Sequence, residues 1–240
     1  MDEKLIVELK DIRKEFPGVV ALDRVNMKIC AGRVHALVGE NGAGKSTLMK
    51  ILSGTYTSYD GEVRIDGKTV HMKSEKEAFE HGISIVAQEL NYVPELTIAE
   101  NLYIGREPKR GKWFVDRKKR LRDCRALLEM MGLEYDPNEQ MGNLSVAQRQ
   151  MIEIVKSLSR NARVIIMDEP TSALTSKEAE ILFRKIAELK EKGIAFVFIS
   201  HRLNEVFEIC DEYTVLRDGK WITSGLLQDV TQDGLISMMV

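Results

Sequence analysis

The sequence predicts an α/β fold, in which a parallel sheet wrapped in helices is joined by a small antiparallel sheet and a largely helical segment. Three observations predict it. The runs "VHALVG", "VIIMDE" and "IAFVFISH" are rich in branched apolar residues, end in polar ones and have helical patterns between them, as strands buried on both faces do. The N-terminal region alternates at Leu5, Val7 and Leu9, then at Val25, Met27 and Ile29, the period of half-buried strands. Asp-Gly pairs in "EVRIDGKTV" and "TVLRDGKWIT" mark two hairpins.

Between the strands, helices announce their own ends. Thr97 and Glu100 form a capping box before "IAENLYIG". In "RKKRLRDCRALLEM" charges dominate, with Leu121, Leu127, Leu128 and then Met131 as the apolar side. A helix from Lys177 to Lys192 has a Thr175/Glu178 box and stops at Gly193. Ser145 and Gln148, in "NLSVAQRQ", cap an amphipathic helix carrying Met151, Ile152, Val155 and Leu158.

Bulk properties exclude some classes. The 240 residues have room for one large domain or two small ones. Thirty-five basic residues against 37 acids leave a net charge of -2, no general signature of a nucleic-acid binder. The basic run from Lys109 to Arg125 therefore reads as a solvated helical face. Cys30, Cys124 and Cys210 follow no metal or redox spacing, which fits a reducing compartment. "MDEKLIVELK" is not a signal peptide, and the longest apolar run, "IAFVFI", is far short of the roughly 20 residues that cross a bilayer. A cytoplasmic location is expected.

"GENGAGKST" has the form G-x-x-x-x-G-K-[ST], with Gly39, Gly44, Lys45 and Ser46 at the fixed places. Such a loop, Gly39 through Glu40, Asn41, Gly42 and Ala43 to Thr47, turns backbone N–H groups towards phosphate oxygens. The helix that follows presents its positive end to the same anion. Lys45 brings a mobile charge, and the Ser46 hydroxyl suits Mg²⁺. "VHALV" before it and "TLMKILSG" after it supply the strand–loop–helix context of an ATP-binding loop.

"RVIIMDEP" delivers Asp168 to the end of a buried strand, where it can support Mg²⁺, with Glu169 placed to polarise a water. His201 emerges at a third strand end, suited to contact a terminal phosphate. The remaining histidines, His35, His71 and His81, sit in strand-like or surface-like settings that favour structural roles.

The order of phosphate loop, Gln88 after "GISIVAQ", "LSVAQ", "VIIMDE" and His201 resembles the nucleotide-binding domain of an ATP-binding cassette (ABC) ATPase, over the whole chain. The resemblance implies a P-loop core (31–54, 83–88 and 161–240), an antiparallel β-subdomain (1–30 and about 55–82) and a helical subdomain (about 89–160). It also implies that Phe16 stacks on adenine. Gln88 would reach Mg²⁺ and the attacking water, and Leu144, Ser145, Val146, Ala147 and Gln148 would meet ATP held by the opposite domain of a dimer.

"FPGVVALDRVNMKICAGRVHALVGENGAGKSTLMKILSG", "LSVAQRQMIEIVKSLSR" and "SHRLNEVFEICDEYTVLRDGK" resemble, more closely, the first ATPase half of bacterial monosaccharide importers of the ribose, galactose and xylose type. That likeness implies a second ATPase half, a transmembrane sugar permease docked near Gln88 to Gly105, and indirectly an extracytoplasmic sugar-binding protein. The chain would then be a peripheral protein of the cytoplasmic membrane face, and the first half of a tandem protein. Two departures stand out. Val146 and Ala147 occupy positions where the family signature has glycines, and Thr175 stands where many members have Asp. Alternative readings are a soluble ABC-type ATPase acting on ribosomes or DNA, and an ATP-gated dimerisation module with little hydrolysis of its own.

Overall fold

A computed structural model describes residues 4–86, 92–111 and 114–240. Gln88 lies outside the described residues. Strands β1 (Leu5–Phe16) and β2 (Val19–Cys30) form a long hairpin, β3 (Val34–Val38) leads into α1 (Lys45–Leu52), and β4 (Asp60–Ile65) and β5 (Lys68–Val70) form a second hairpin. Helix α2 (Glu75–Glu80), strand β6 (Ile83–Val86) and helix α3 (Ile98–Tyr103) follow. A short ribbon of β7 (Lys109–Arg110) and β8 (Phe114–Val115) precedes α4 (Arg117–Met130) and α5 (Val146–Leu158). The rest alternates as β9 (Val164–Asp168), α6 (Ser176–Glu191), β10 (Ala195–Ile199), α7 (Leu203–Ile209), β11 (Glu212–Arg217), β12 (Lys220–Leu226) and α8 (Gln232–Met239).

The main sheet has the order β5-β4-β1-β2-β12-β11-β3-β10-β9-β6. From β11 to β6 every neighbouring pair is parallel. From β5 to β2 every pair is antiparallel. The two halves meet where β12, antiparallel to β11, pairs with β2 at Lys220↔Asp23. Both Asp-Gly hairpins form, with Asp66 and Asp218 each at φ 50°, the positive φ of a primed turn.

The parallel strands are buried on both faces, and the alternation along them divides the core. On β9 and β10, Ile165, Met167, Phe196 and Phe198 face the side covered by α3 to α6. Val164, Ile166, Val197 and Ile199 face α1 and the antiparallel strands. That double burial is why these runs read as continuous apolar stretches rather than alternating ones.

The three capping boxes form as read, at Thr97, Ser145 and Thr175. Helix α4 spans the charged stretch, with Cys124, Leu128 and then Met131 buried. The β7–β8 ribbon is a difference from the helical reading of this region. Strands of two residues each carry too little alternation to register as a period. None of the described helices is long and apolar enough to cross a membrane.

Candidate active site

Strands β3, β10 and β9 lie side by side and parallel, so their carboxyl ends open at one edge of the sheet, where open α/β folds place ligands. The register sets what meets there. Ile199 pairs with Asp168, so Ser200–His201 and Glu169, the next residues of each chain segment, leave the sheet as neighbours.

Beyond β3 the loop 39–44 leads into α1. Six of the other helices have a side chain capping their first turn, whereas α1 begins at Gly44 with none. Its leading N–H groups are thus left to a ligand. Gly44 takes φ 100°, and a Cβ there would stand 2.6 Å from Leu22 Cδ2 and 2.8 Å from the Ala21 carbonyl oxygen. Only glycine fits so close to β2. Ala43 anchors the loop from below, 3% exposed in the core.

Lys45 folds back over the loop. Its Nζ donates to the carbonyl oxygens of Gly39 at 2.7 Å and Glu40 at 3.0 Å. Burial holds this amine below the usual lysine range, while Asp168 and Glu169 pull the other way. A cavity of about 250 Å³ opens above, lined by Asn41, Gly42, Gly44, Lys45, Ser46, Thr47, Asp168 and Glu169, with Ala21 and Ile199. The predicted phosphate loop and both predicted acids therefore share one cavity.

Burial and the neighbouring Glu169 carboxylate push the Asp168 carboxyl above the ordinary range, opposed by Lys45 and Lys50. A desolvated acid facing a second acid, with the Ser46 hydroxyl in the same cavity, is a donor set that fits Mg²⁺. Glu169 takes φ 47°, a left-handed conformation that costs a non-glycine residue about 1–2 kcal/mol. Its N–H donates to the Ile199 carbonyl at 2.9 Å. Its Oε1 lies 3.2 Å from His201 Nδ1.

The other predicted residues lie elsewhere. Phe16, at the end of β1, packs edge-on against Tyr56 with ring centroids 5.4 Å apart, and Lys14 Nζ lies 5.0 Å from the Phe16 centroid. It does not line the phosphate-loop cavity. Leu144 is buried and Ser145 and Val146 are exposed. Gln148 completes the cap as an acceptor: the Ser145 N–H donates to Gln148 Oε1 at 2.8 Å. Leu144 and Gln148 border a different cleft, with Glu134, Tyr135 and Asp136. Val146 and Ala147 are absent from the positive-φ residues, so this helix start needs no glycine to hold its shape. Strand β6 ends at Val86 beside Met167 of β9, and Gln88 itself lies outside the described residues.

Sequence reading missed several supporting residues. Arg149 pins the start of α5 through its Nε to the Met141 carbonyl (3.0 Å), Nη2 to the Gly142 carbonyl (2.7 Å) and Nη1 to Tyr92 Oη (2.7 Å). His35, by contrast, agrees with its structural reading: it is 4% exposed and joins Glu212 at 3.1 Å and Thr214 Oγ1 at 2.8 Å. Glu205 lies beneath the loops after β9 and β10 and bonds to both. A lone Arg or Glu in a helical stretch carries no pattern that singles it out.

Comparison with known proteins agrees with this geometry. The ABC transporter family model matches residues 22–172. A putative ribose/galactose/methyl galactoside import ATP-binding protein of Agrobacterium fabrum is 54% identical over 95% of this chain and 45% of its own length. A galactose/methyl galactoside import ATP-binding protein of Pasteurella multocida is 49% identical over 100% of this chain and 47% of its own. The chain thus spans about half the length of the curated relatives it matches. Among solved structures, a nucleotide-free ATP-binding cassette from an ABC transporter superposes with a TM-score of 0.86 at 29% identity, covering 98% of this chain and 99% of that one. A dimeric cassette bound to ADP and Pi gives 0.76 at 28% identity, covering 92% and 99%. A phosphate loop, two acids and a histidine gathered at three strand ends, on a fold shared along nearly the whole chain, have one common source: the chain belongs to the ABC transporter family.

Proposed function

We propose that this chain binds and hydrolyses ATP to power monosaccharide import through a membrane permease, acting as a peripheral unit at the cytoplasmic face of the membrane. The observation that carries the reading is the single cavity holding the phosphate loop, Lys45, Asp168 and Glu169, with His201 3.2 Å from Glu169. The names of the relatives at about half identity supply the sugar.

In this reading the uncapped start of α1 and the Gly42–Gly44 backbone hold the phosphates. Lys45 leaves the Gly39 and Glu40 carbonyls for the terminal phosphate and offsets charge in the transition state. Ser46 and Gln88 would hold Mg²⁺, with Asp168 supporting it through a water, and the metal would neutralise charge on the phosphate oxygens. Glu169 orients a water and takes its proton as oxygen attacks phosphorus and ADP leaves. His201 keeps Glu169 in place and contacts the same phosphate. Phe16 stacks on the base.

Leu144 and Gln148 border a separate cleft from the phosphate cavity, which supports the stretch Leu144–Gln148 acting on nucleotide held by a second ATPase domain. That domain is either the other half of a tandem protein or a second copy. Closure on ATP and reopening after hydrolysis would drive the permease, a population shift set by differential affinity. An extracytoplasmic binding protein would deliver the sugar. The test is Mg·ATP turnover and sugar uptake with the permease in proteoliposomes. Turnover that is absent from wild type, or unchanged in Lys45→Ala, would sink the ATPase reading.

A further inference from the structure

Glu205, in the first turn of α7, accepts hydrogen bonds from both loops that carry the hydrolytic pair. Thr171 Oγ1 donates to Glu205 Oε2 at 2.6 Å, and Ser200 Oγ donates to the same oxygen at 3.2 Å. Arg202 Nη1 donates to Glu205 Oε1 at 3.1 Å. The Ser200 hydroxyl also accepts the Arg202 backbone N–H at 3.0 Å. Thr171 is 1% exposed and Ser200 4%, and the Glu205 side chain is 12% exposed. This is therefore a largely buried carboxylate with both oxygens engaged, not a surface ion pair.

The placement matters because of what stands beside each contact. Thr171 is two residues beyond Glu169, with only the buried Pro170 between them. Ser200 and Arg202 flank His201 on either side. The backbones of the two loops are tied directly by one bond, Glu169 N–H to the Ile199 carbonyl. Arg202 Nη1 also reaches the Thr171 carbonyl at 3.5 Å, and Glu205 supplies a further, shorter tie from below, through side chains. Glu169 holds a left-handed backbone at φ 47°, which persists only where the surroundings over-determine it.

We propose that Glu205 is a positioning residue for hydrolysis: by bridging Thr171 to Ser200 and Arg202 it fixes the separation of Glu169 and His201. The proposal rests on the ATPase reading above for its kinetic consequence, but not for its structural one. Capping of α7 alone is the structural rival. That role would change stability and leave the Glu169–His201 geometry as it is.

The test measures the imidazole ¹⁵N and ¹H shifts of His201 in the full chain, assigned with His201→Gln, for wild type, Glu205→Gln and Thr171→Val. ATP hydrolysis and ATP affinity are followed in parallel. The expected result is a shift of the His201 resonances in both variants, with those of His35, His71 and His81 unmoved. Turnover should fall about 10–100-fold, the scale of a misplaced reacting group, with ATP affinity kept within about twofold. The double variant should lose little more than Glu205→Gln alone, because both changes break one bridge. Unmoved His201 resonances in Glu205→Gln would overturn the proposal, and so would turnover falling only in proportion to the folded fraction. If Glu205→Gln does not fold, Thr171→Val, which removes a single hydroxyl, decides by the same resonances. Absence of turnover in the wild type would remove the ATPase reading, and the His201 shifts would still decide whether Glu205 sets the pair.

Discussion

His201 Nδ1 stands 3.2 Å from Glu169 Oε1, across the gap between the ends of two neighbouring parallel strands. The contact carries a tautomer with it, since an ionised carboxylate only accepts and Nδ1 must hold the proton. That leaves Nε2 of a neutral imidazole as an acceptor, or of an imidazolium as a donor, free to turn towards a phosphate or water. The histidine side chain is 63% exposed and the glutamate 27%, so the pair sits at the mouth of the site, where a second domain can cover it.

Glu169→Gln separates binding from chemistry. The amide keeps the shape and the neutral part of the contact with His201 but cannot take a proton. Hydrolysis should fall about 10²–10⁴-fold if Glu169 is the base, while ATP affinity stays near wild type. Single-turnover hydrolysis and equilibrium binding, measured on the same preparation, check it. Undiminished turnover would remove Glu169 from that role.

Two glycines of the phosphate loop should respond differently to alanine. At Gly44 the new Cβ meets Leu22 Cδ2 and the Ala21 carbonyl below 3 Å, so the loop or β2 must shift. At Gly42, with φ 88°, nothing lies within 4 Å, and the cost is backbone strain of about 1–2 kcal/mol. Gly44→Ala should therefore lower the melting temperature more than Gly42→Ala and abolish nucleotide binding. Equal losses in both would mean that φ, not the approach to β2, governs the loop.

Asp168 gives a pH signature. Its folded-state pKa is raised, first by burial and then by Glu169, so the folded chain holds this proton more tightly than the unfolded chain. The associated stability is complete below the unfolded value and lost as pH rises through the folded one. Above the Asp168 titration the nucleotide-free protein thus bears an unfavourable ionised Asp168. Asp168→Asn should raise the melting temperature there, with the gain shrinking as the pH is lowered through the Asp168 titration. Mg·ATP should bind less tightly to the same variant. A lower melting temperature for Asp168→Asn near neutrality would show that attraction to Lys45 outweighs desolvation.

Much of this site is legible in sequence because its chemistry is local. The phosphate loop is one contiguous motif, and "VIIMDE" and "FVFISH" announce themselves as buried strands with polar ends. What sequence cannot show is adjacency across strands. That Asp168 pairs with Ile199, and so sets Glu169 against His201, follows from the strand order. The bridge from Glu205 to Thr171 spans 34 positions, and the Tyr56 ring that Phe16 packs against lies on a loop after α1. Nor does a helical periodicity tell which arginine staples a helix, as Arg149 does. The β7–β8 ribbon was invisible for the opposite reason, being too short to leave a period at all.

The helix start at Ser145 bears on the last prediction. Its side chain caps α5 and Val146 is the first helical residue, 41% exposed. The negative φ of Val146 and Ala147 keeps their N–H groups in helical directions, yet in the proposed dimer the isopropyl group of Val146 would stand in the way of close approach by a phosphate from a second domain. Glu169→Gln, which retains ATP, should therefore remain monomeric with Mg·ATP when its mass in solution is measured. Adding Val146→Gly and Ala147→Gly in that background removes both side chains at a cost of about 1 kcal/mol per residue in helix propensity, and dimers should appear with Mg·ATP. A dimer formed by Glu169→Gln alone would mean that "LSVAQ" engages nucleotide in trans as it stands. If neither protein dimerises although ATP is bound, Ser145 to Gln148 serve this chain mainly as a helix cap, and a different ATPase domain must supply the opposing surface.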